Sequence, residues 1–196
     1  RVIDPHLRWR TFQTDHFYLH FYEEERGIAA KVAPLLEKTY TRLSETLKWK
    51  PASRTHVVLL NHIDLSNGMA TPFPYNTMIL WIKPPHGLLQ METYDDWLTE
   101  LVTHEFTHIL HLDQAGGIPK VLRYVFGRSP FFFPNVFTPG WNIEGLAVFS
   151  ESEETTGGRN RSSYTEMLIR TDILQGQFLS IDKAGGEGYD WPDGQA

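Results

Sequence analysis

The chain contains one helical stretch, Thr93 to Leu112, whose surface is apolar almost all round, and this stretch limits the folds that the chain can adopt. A helical projection at about 3.6 residues per turn leaves only a narrow polar strip. The large apolar side chains around the rest of the projection are Trp97, Leu98, Leu101, Val102, Phe106, Ile109, Leu110 and Leu112. Such a helix is stable only when other elements cover it, so we expect it to lie at the centre of the domain.

The same helix carries His104-Glu105-Phe106-Thr107-His108, which is an HExxH pattern. His104 and His108 lie one turn apart on one face, so both imidazoles can bind one metal ion, and Glu105 reaches the side of that ion. Burying two His and a Glu is costly unless they are paired or bind a metal. The pattern therefore predicts a metal site with an adjacent base.

A catalytic zinc site takes three protein ligands, and Glu144 is the candidate for the third. The segment from Thr138 to Glu151 predicts a second helix, with Thr138 at the N-cap and Pro139 at its first position. Glu144 stands early in this helix in an apolar setting. Its apolar neighbours are Trp141, Ile143, Leu146 and Ala147.

Two further residues bear on the same site. Gly145 is unfavourable inside a helix, which we explain by a close approach of this helix to the HExxH helix. His111 is an alternative metal ligand, but its position one turn beyond His108 carries it past the ion. We therefore assign His111 to the polar strip or to a supporting hydrogen bond, and we treat Asp113 as a similarly weak supporting candidate.

The segments H-E-F-T-H and P-G-W-N-I-E-G-L-A-V-F-S-E together resemble the gluzincin clan of zinc metallopeptidases. The resemblance is to its minimal bacterial peptidase MA-like domains, of the kind found ahead of TolB-type propellers. It implies Zn²⁺ bound by His104, His108 and Glu144, with Glu105 as the general base for hydrolysis of a peptide or protein substrate. It names no site for another cofactor.

The resemblance also implies the fold and the context of the chain. The expected fold is α+β and thermolysin-like (a zincin fold), with a small mixed sheet packed on a long helix, a central HExxH helix and a helical C-terminal part. Residues 1–196 are expected to form a single metallopeptidase-like domain that is cut short at its C-terminal end. A C-terminal propeller domain is a possible partner, and an extracytoplasmic location, periplasmic or secreted, is expected.

In the clan the substrate lies along the edge strand ahead of the metal helix. We map that strand either to Gly68 through Thr71, with Gly68, Met69 and Ala70 binding substrate, or to Thr77 through Ile82. An ordinary hairpin is an equally good interpretation of the same residues.

The sequence departs from thermolysin-like enzymes at Val148, where they carry an Asp that supports a ligand His. Glu151 is a substitute for that Asp if it is not a surface acid. Tyr164 and Tyr189 are the candidates for stabilising the developing oxyanion.

Hydrophobic periodicity predicts the other elements. We expect a half-buried strand at His16–Tyr22, a long helix at Glu23–Trp49 with a kink or break at Pro34, and a strand at Thr55–Asn61 that is buried on both faces. Shorter helices are expected at Ile118–Phe126 and Ser162–Leu174.

Four phenylalanines follow in a Pro-bounded loop at residues 129–137. They could line an apolar substrate pocket, dock a neighbouring domain, touch a membrane surface, or fold over the core.

Composition excludes several functions. The 196 residues include no cysteine, which excludes disulfides and thiol chemistry. The net charge of −6 and the lack of a basic block argue against a nucleic-acid partner. No apolar run is long enough for a transmembrane segment.

Besides an active peptidase, we consider a catalytically idle zinc-binding module that docks on a partner or propeller.

Overall fold

The computed structural model describes residues 7–61, 66–83 and 97–178. Within them the chain is α+β, as predicted, with one mixed sheet of five strands in the order β1-β2-β3-β5-β4. The strands are β1 Trp9–Gln13, β2 Phe17–Tyr22, β3 Thr55–Leu60, β4 Ser66–Thr71 and β5 Thr77–Ile82. Strands β2, β3 and β5 are parallel, whereas the edge strands β1 and β4 are antiparallel to their neighbours.

Five α-helices accompany the sheet in the described ranges. They are α1 Arg26–Thr46, α2 Trp97–Asp113, α3 Gly117–Phe126, α4 Gly140–Glu154 and α5 Ser163–Gln175. Helix α2 is the predicted HExxH helix, although residues 93–96 of that prediction lie outside the described part of the chain. Within the described ranges, no helix is both long and apolar enough to cross a membrane.

The core lies between one face of the sheet and helices α1 and α2. Alternate residues of the central strands point into it, including Leu19, Val57 and Leu80, which are fully buried. The prediction that β3 is buried on both faces was wrong. Thr55, Val57 and Leu59 are buried, but the intervening side chains are partly exposed because α1 and α2 cover a single face.

Helix α1 continues through Pro34 without the break that we predicted as one alternative. Pro34 is exposed, so its ring lies on the solvent side, while Val32 and Leu36 on either side of it are fully buried. Burial of the inner face stabilises the helix more than the one backbone hydrogen bond lost at Pro34 destabilises it.

Candidate metal centre

Helix α2 is the most deeply buried element of the site. All residues from Val102 to Leu110 are buried, as the sequence predicted. Neighbouring elements cover it from several sides, since α1, α4, β4 and β5 all contact it. His104, Glu105 and His108 are therefore fixed on a helix that cannot turn about its axis without breaking the core.

The structure brings His104, His108 and Glu144 together, and these three residues form a group that could hold a metal ion. The two Nε2 atoms of the histidines lie 3.1 Å apart. Glu144 Oε2 lies 3.4 Å from His104 Nε2 and 3.6 Å from His108 Nε2. Ligand atoms on a tetrahedral zinc ion are expected about 3.4 Å apart, given metal–ligand distances of about 2.0–2.1 Å. The triangle of donor atoms is therefore of a size that could hold a metal ion.

Glu151 fixes the orientation of one ligand. His104 Nδ1 donates to Glu151 Oε2 at 2.9 Å, so Nε2 is the nitrogen that faces the other two donor atoms. Arg159 Nη2 lies 3.0 Å from the same Nδ1, but the single hydrogen on that nitrogen can serve only the carboxylate, so we treat the arginine contact as non-bonded. Glu151 thus fills the supporting role that Val148 cannot.

Arg159 in turn holds Glu151. Its backbone N and its Nε donate to Glu151 Oε1 at 3.0 and 3.1 Å. Both oxygens of this buried carboxylate are satisfied, so its position is determined before any metal binds. No sequence pattern pointed to Arg159, because the residue lies on a turn after α4 and far along the chain from α2.

The electrostatics of the site favour a cation. Burial alone would lower the pKa of His104, but its hydrogen bonds to Glu144 and Glu151 outweigh burial and raise that pKa to about 9. The same contacts with His104 and His108 hold the pKa of Glu144 well below its usual range. In the metal-free protein a proton on His104 therefore supplies the positive charge that the carboxylates attract. His108 Nδ1 is buried, and no described residue forms a hydrogen bond with it.

Glu105 lies beside this triangle and against the edge strand β4. A Cβ atom built on Gly68 would stand 2.3 Å from Glu105 Oε1 and 2.4 Å from its Cδ. The absence of a side chain at Gly68 is thus what leaves room for the carboxylate. Burial raises the pKa of Glu105, and its Oε2 atom has no hydrogen-bond partner among the described residues.

The structure separates the two candidates for the edge strand. Strand β5 is interior, since it pairs with β3 on one side and β4 on the other. Strand β4, which carries Gly68, Met69 and Ala70, is the edge. The sequence singled out Gly68 as a substrate-binding residue but missed its packing against Glu105.

Three expectations about α4 were wrong. Glu144 is not enclosed by apolar neighbours, because its side chain is 49 % exposed. The helix also does not need Gly145 for close approach, since a Cβ there would meet nothing within 4 Å. The side of α4 that lies opposite Gly145 contacts α2 instead, and Ala147, Ser150 and Glu151 are buried there. Thr138 does not cap the helix either, and its hydroxyl donates to the Asn135 carbonyl.

Among the described residues, none of the remaining candidates belongs to the metal-binding group. This agrees with our expectation for His111. Asp113 does not support a ligand, because its carboxylate accepts from Trp49, Arg123 and Arg128. Tyr164 is a partly exposed residue of α5, and Tyr189 lies outside the described residues.

Comparison of the chain with models of known protein families, with curated proteins and with solved structures finds no match to any of them. Functional inference for this chain therefore depends on the chemistry of the site.

Proposed function

We propose that this chain is a zinc-dependent peptidase of the gluzincin type, with the thermolysin-like fold that the resemblance implies. The observation that supports the proposal most is the donor triangle of His104, His108 and Glu144 with the free carboxylate of Glu105 beside it. Two imidazole nitrogens and one carboxylate oxygen are a donor set that suits zinc. Three protein ligands leave a coordination position for water or substrate. The half-exposed side chain of Glu144 keeps that position open to solvent.

Different residues of the chain would have different roles in peptide hydrolysis. When bound, zinc would supply Lewis-acid polarisation of the scissile carbonyl and lower the pKa of its water from 15.7 to about 7. Glu105 would accept the proton of the attacking water on a carboxylate oxygen and pass it to the leaving amine nitrogen. A raised pKa suits this role, because a general base works best when its pKa is near the working pH. Glu151 would keep the Nδ1 proton of His104 in place.

The edge strand β4 is the proposed platform for substrate. A peptide can add to an open edge as a further strand, with main-chain hydrogen bonds supplying affinity. Gly68 places the backbone of this edge directly against Glu105, so a peptide held there would lie within reach of the base. The propeller partner and the extracytoplasmic location stay predictions.

The test begins with metal content, measured by mass spectrometry after dialysis. We expect about one zinc per chain in the wild type and in Glu105→Gln, and loss of zinc in Glu144→Ala. Glu153→Gln, an exposed acid on the same helix, is the matched control and should keep its zinc. Retention of zinc without Glu144 would refute the ligand assignment.

A peptide-library assay on the zinc-loaded protein then tests activity. Cleavage by the wild type that is lost in Glu105→Gln supports the peptidase. Full zinc occupancy without cleavage would favour the idle module that docks on a partner.

A further inference from the structure

Helix α3 is amphipathic, but its apolar side faces solvent and not the protein. At about 100° per residue, Ile118, Val121, Val125 and Phe126 share one side of the helix, which we call the apolar α3 face. These four side chains are 62 to 75 % exposed, and no residue of α3 is buried. Contiguous exposed apolar side chains of this size mark an interaction surface.

Contacts on the polar side hold the helix in this orientation. Arg123 Nη1 donates to Asp113 Oδ1 at 3.0 Å, and its Nη2 donates to the Asp113 carbonyl at 2.7 Å. Arg128, just beyond the helix, pairs with the same carboxylate oxygen at 3.0 Å and donates to Asn76 Oδ1 at 2.6 Å. Asp113 is buried, so these charge-assisted bonds are shielded from water. The outward direction of the apolar α3 face is therefore built into the structure.

The surface continues beyond the helix into the Pro-bounded loop. The rings of Phe126 and Phe132 lie 6.3 Å apart, and Phe131 beside them is 80 % exposed. Phe133 is instead fully buried, with the guanidinium groups of Arg123 and Arg128 over its ring. One phenylalanine thus anchors the loop while another projects from it.

The charges around this surface are cationic. The segment 114–143 contains no Asp or Glu but contains Lys120, Arg123 and Arg128, although the chain as a whole has a net charge of −6. Asp113 offsets one of these charges. Lys120 is exposed and lies on the side of α3 away from the apolar face.

Two further lysines lie beside Trp49 in the chain, and Trp49 contacts Asp113, the last residue of α2. Lys48 and Lys50 are exposed and flank Trp49, whose indole donates to Asp113 Oδ2 at 2.9 Å. The exposed Glu45 at the end of α1 is the acid nearest to them in the chain. Cations therefore outnumber acids in these two segments of the chain.

We propose that the apolar α3 face and Phe131 bind the surface of an anionic lipid bilayer, with α3 lying in the interface. A helix with one apolar face and with lysine and arginine on its polar side is the pattern of helices that bind in this way. A second copy of the chain is the alternative occupant, and the test below distinguishes the two. The proposal does not depend on the metal site or on peptidase activity.

Sedimentation with lipid vesicles tests the proposal. The whole chain is mixed with vesicles of equal parts phosphatidylglycerol and phosphatidylcholine, and separately with vesicles of phosphatidylcholine alone. We expect the wild type to bind the anionic vesicles at least about tenfold more strongly, and this preference to weaken as salt is raised. The double variant Val121→Asp/Val125→Asp should lose about tenfold or more of that binding.

The matched control is Ile173→Asp/Leu174→Asp on α5, which changes two equally exposed apolar residues elsewhere. It should bind vesicles as the wild type does, and circular dichroism checks that both variants are folded. Absence of binding to anionic vesicles, equal binding to both vesicle types, or equal loss in both variants would overturn the proposal. A dimer that Val121→Asp/Val125→Asp dissociates, in a protein that ignores vesicles, would assign the face to a second copy.

Discussion

Replacing Gly68 by alanine should reduce catalysis while leaving the metal in place. The three atoms that a Cβ at residue 68 would meet all belong to Glu105, at 2.3 to 2.4 Å, whereas ordinary contact begins near 3.4 Å. The carboxylate must therefore retreat by about 1 Å, and a misplacement of that size costs about 100-fold in rate. The three atoms nearest to the added methyl group belong to Glu105 and to none of the three metal-binding residues, so zinc content should not change.

The assay is kcat/KM on a peptide substrate, with zinc content measured on the same samples. We expect about a 100-fold loss of kcat/KM, equivalent to about 2.7 kcal/mol of transition-state stabilisation. The free energy of unfolding should change by no more than about 1 kcal/mol, because a side-chain end can move more easily than backbone. Gly145→Ala is the matched control, since its added Cβ meets nothing within 4 Å.

A second substitution, Glu105→Asp, distinguishes displacement of the Glu105 carboxylate from a general disturbance of strand β4. In Glu105→Asp the carboxylate is shorter by one methylene group, which makes room for a methyl group at residue 68. The double variant should therefore lose less activity than the two single variants together. Full activity in Gly68→Ala, loss of its zinc, or strict additivity in the double variant would refute the reasoning.

Two other predictions concern single carboxylates. Glu151→Gln should weaken zinc affinity about 10- to 100-fold, because His104 Nδ1 loses a charged acceptor; competition with a chromophoric chelator measures this affinity. The control is Glu153→Gln, which changes an exposed acid on the same helix. Equal zinc affinities in the two variants would contradict the role of Glu151. Burial raises the pKa of Glu25, whose Oε2 has no hydrogen-bond partner within residues 7–61, 66–83 and 97–178. The folded state therefore binds a proton on Glu25 more tightly than the unfolded state does, and it loses stability as pH rises above about 4.5. Denaturant unfolding should show Glu25→Gln more stable than the wild type by up to about 1 kcal/mol at pH 7 and equal to it near pH 3.5, whereas the exposed Glu45→Gln should show no such pH-dependent difference.

Elements with strong periodicity were predictable from the sequence, and contacts between distant segments were not. The α2 pattern worked because burial all round leaves a signal at every position from Val102 to Leu110. The failure at β3 has the opposite cause. A run of valine and leucine predicts two covered faces, yet α1 and α2 cover one, and a short apolar run does not report which neighbours it has.

In the site, too, local patterns were predictable from the sequence and contacts between distant segments were not. The histidines and Glu105 share one turn of one helix, so local spacing brings them together without knowledge of the fold. Glu151 could be suggested from its spacing to Glu144 along α4, since both project from one side of that helix. The contact of Gly68 with Glu105 and that of Arg159 with Glu151 each join separate elements, so only the tertiary structure reveals them.

The three carboxylates around the histidines differ in what they contact, and this difference separates ligand, support and base. Glu144 Oε2 faces the Nε2 atoms of both histidines, and Glu151 Oε2 accepts from the opposite nitrogen of His104. These two pairs raise the pKa of His104, which shows that the site attracts positive charge. In the part of the chain that the structure describes, Glu105 Oε2 has no such partner, and burial raises the pKa of this carboxyl, so it is the one of the three that is placed to accept a proton. The division of roles therefore follows from which nitrogen each acid contacts, and removing each acid should have a different effect: loss of metal, weaker metal binding, or loss of turnover with the metal retained.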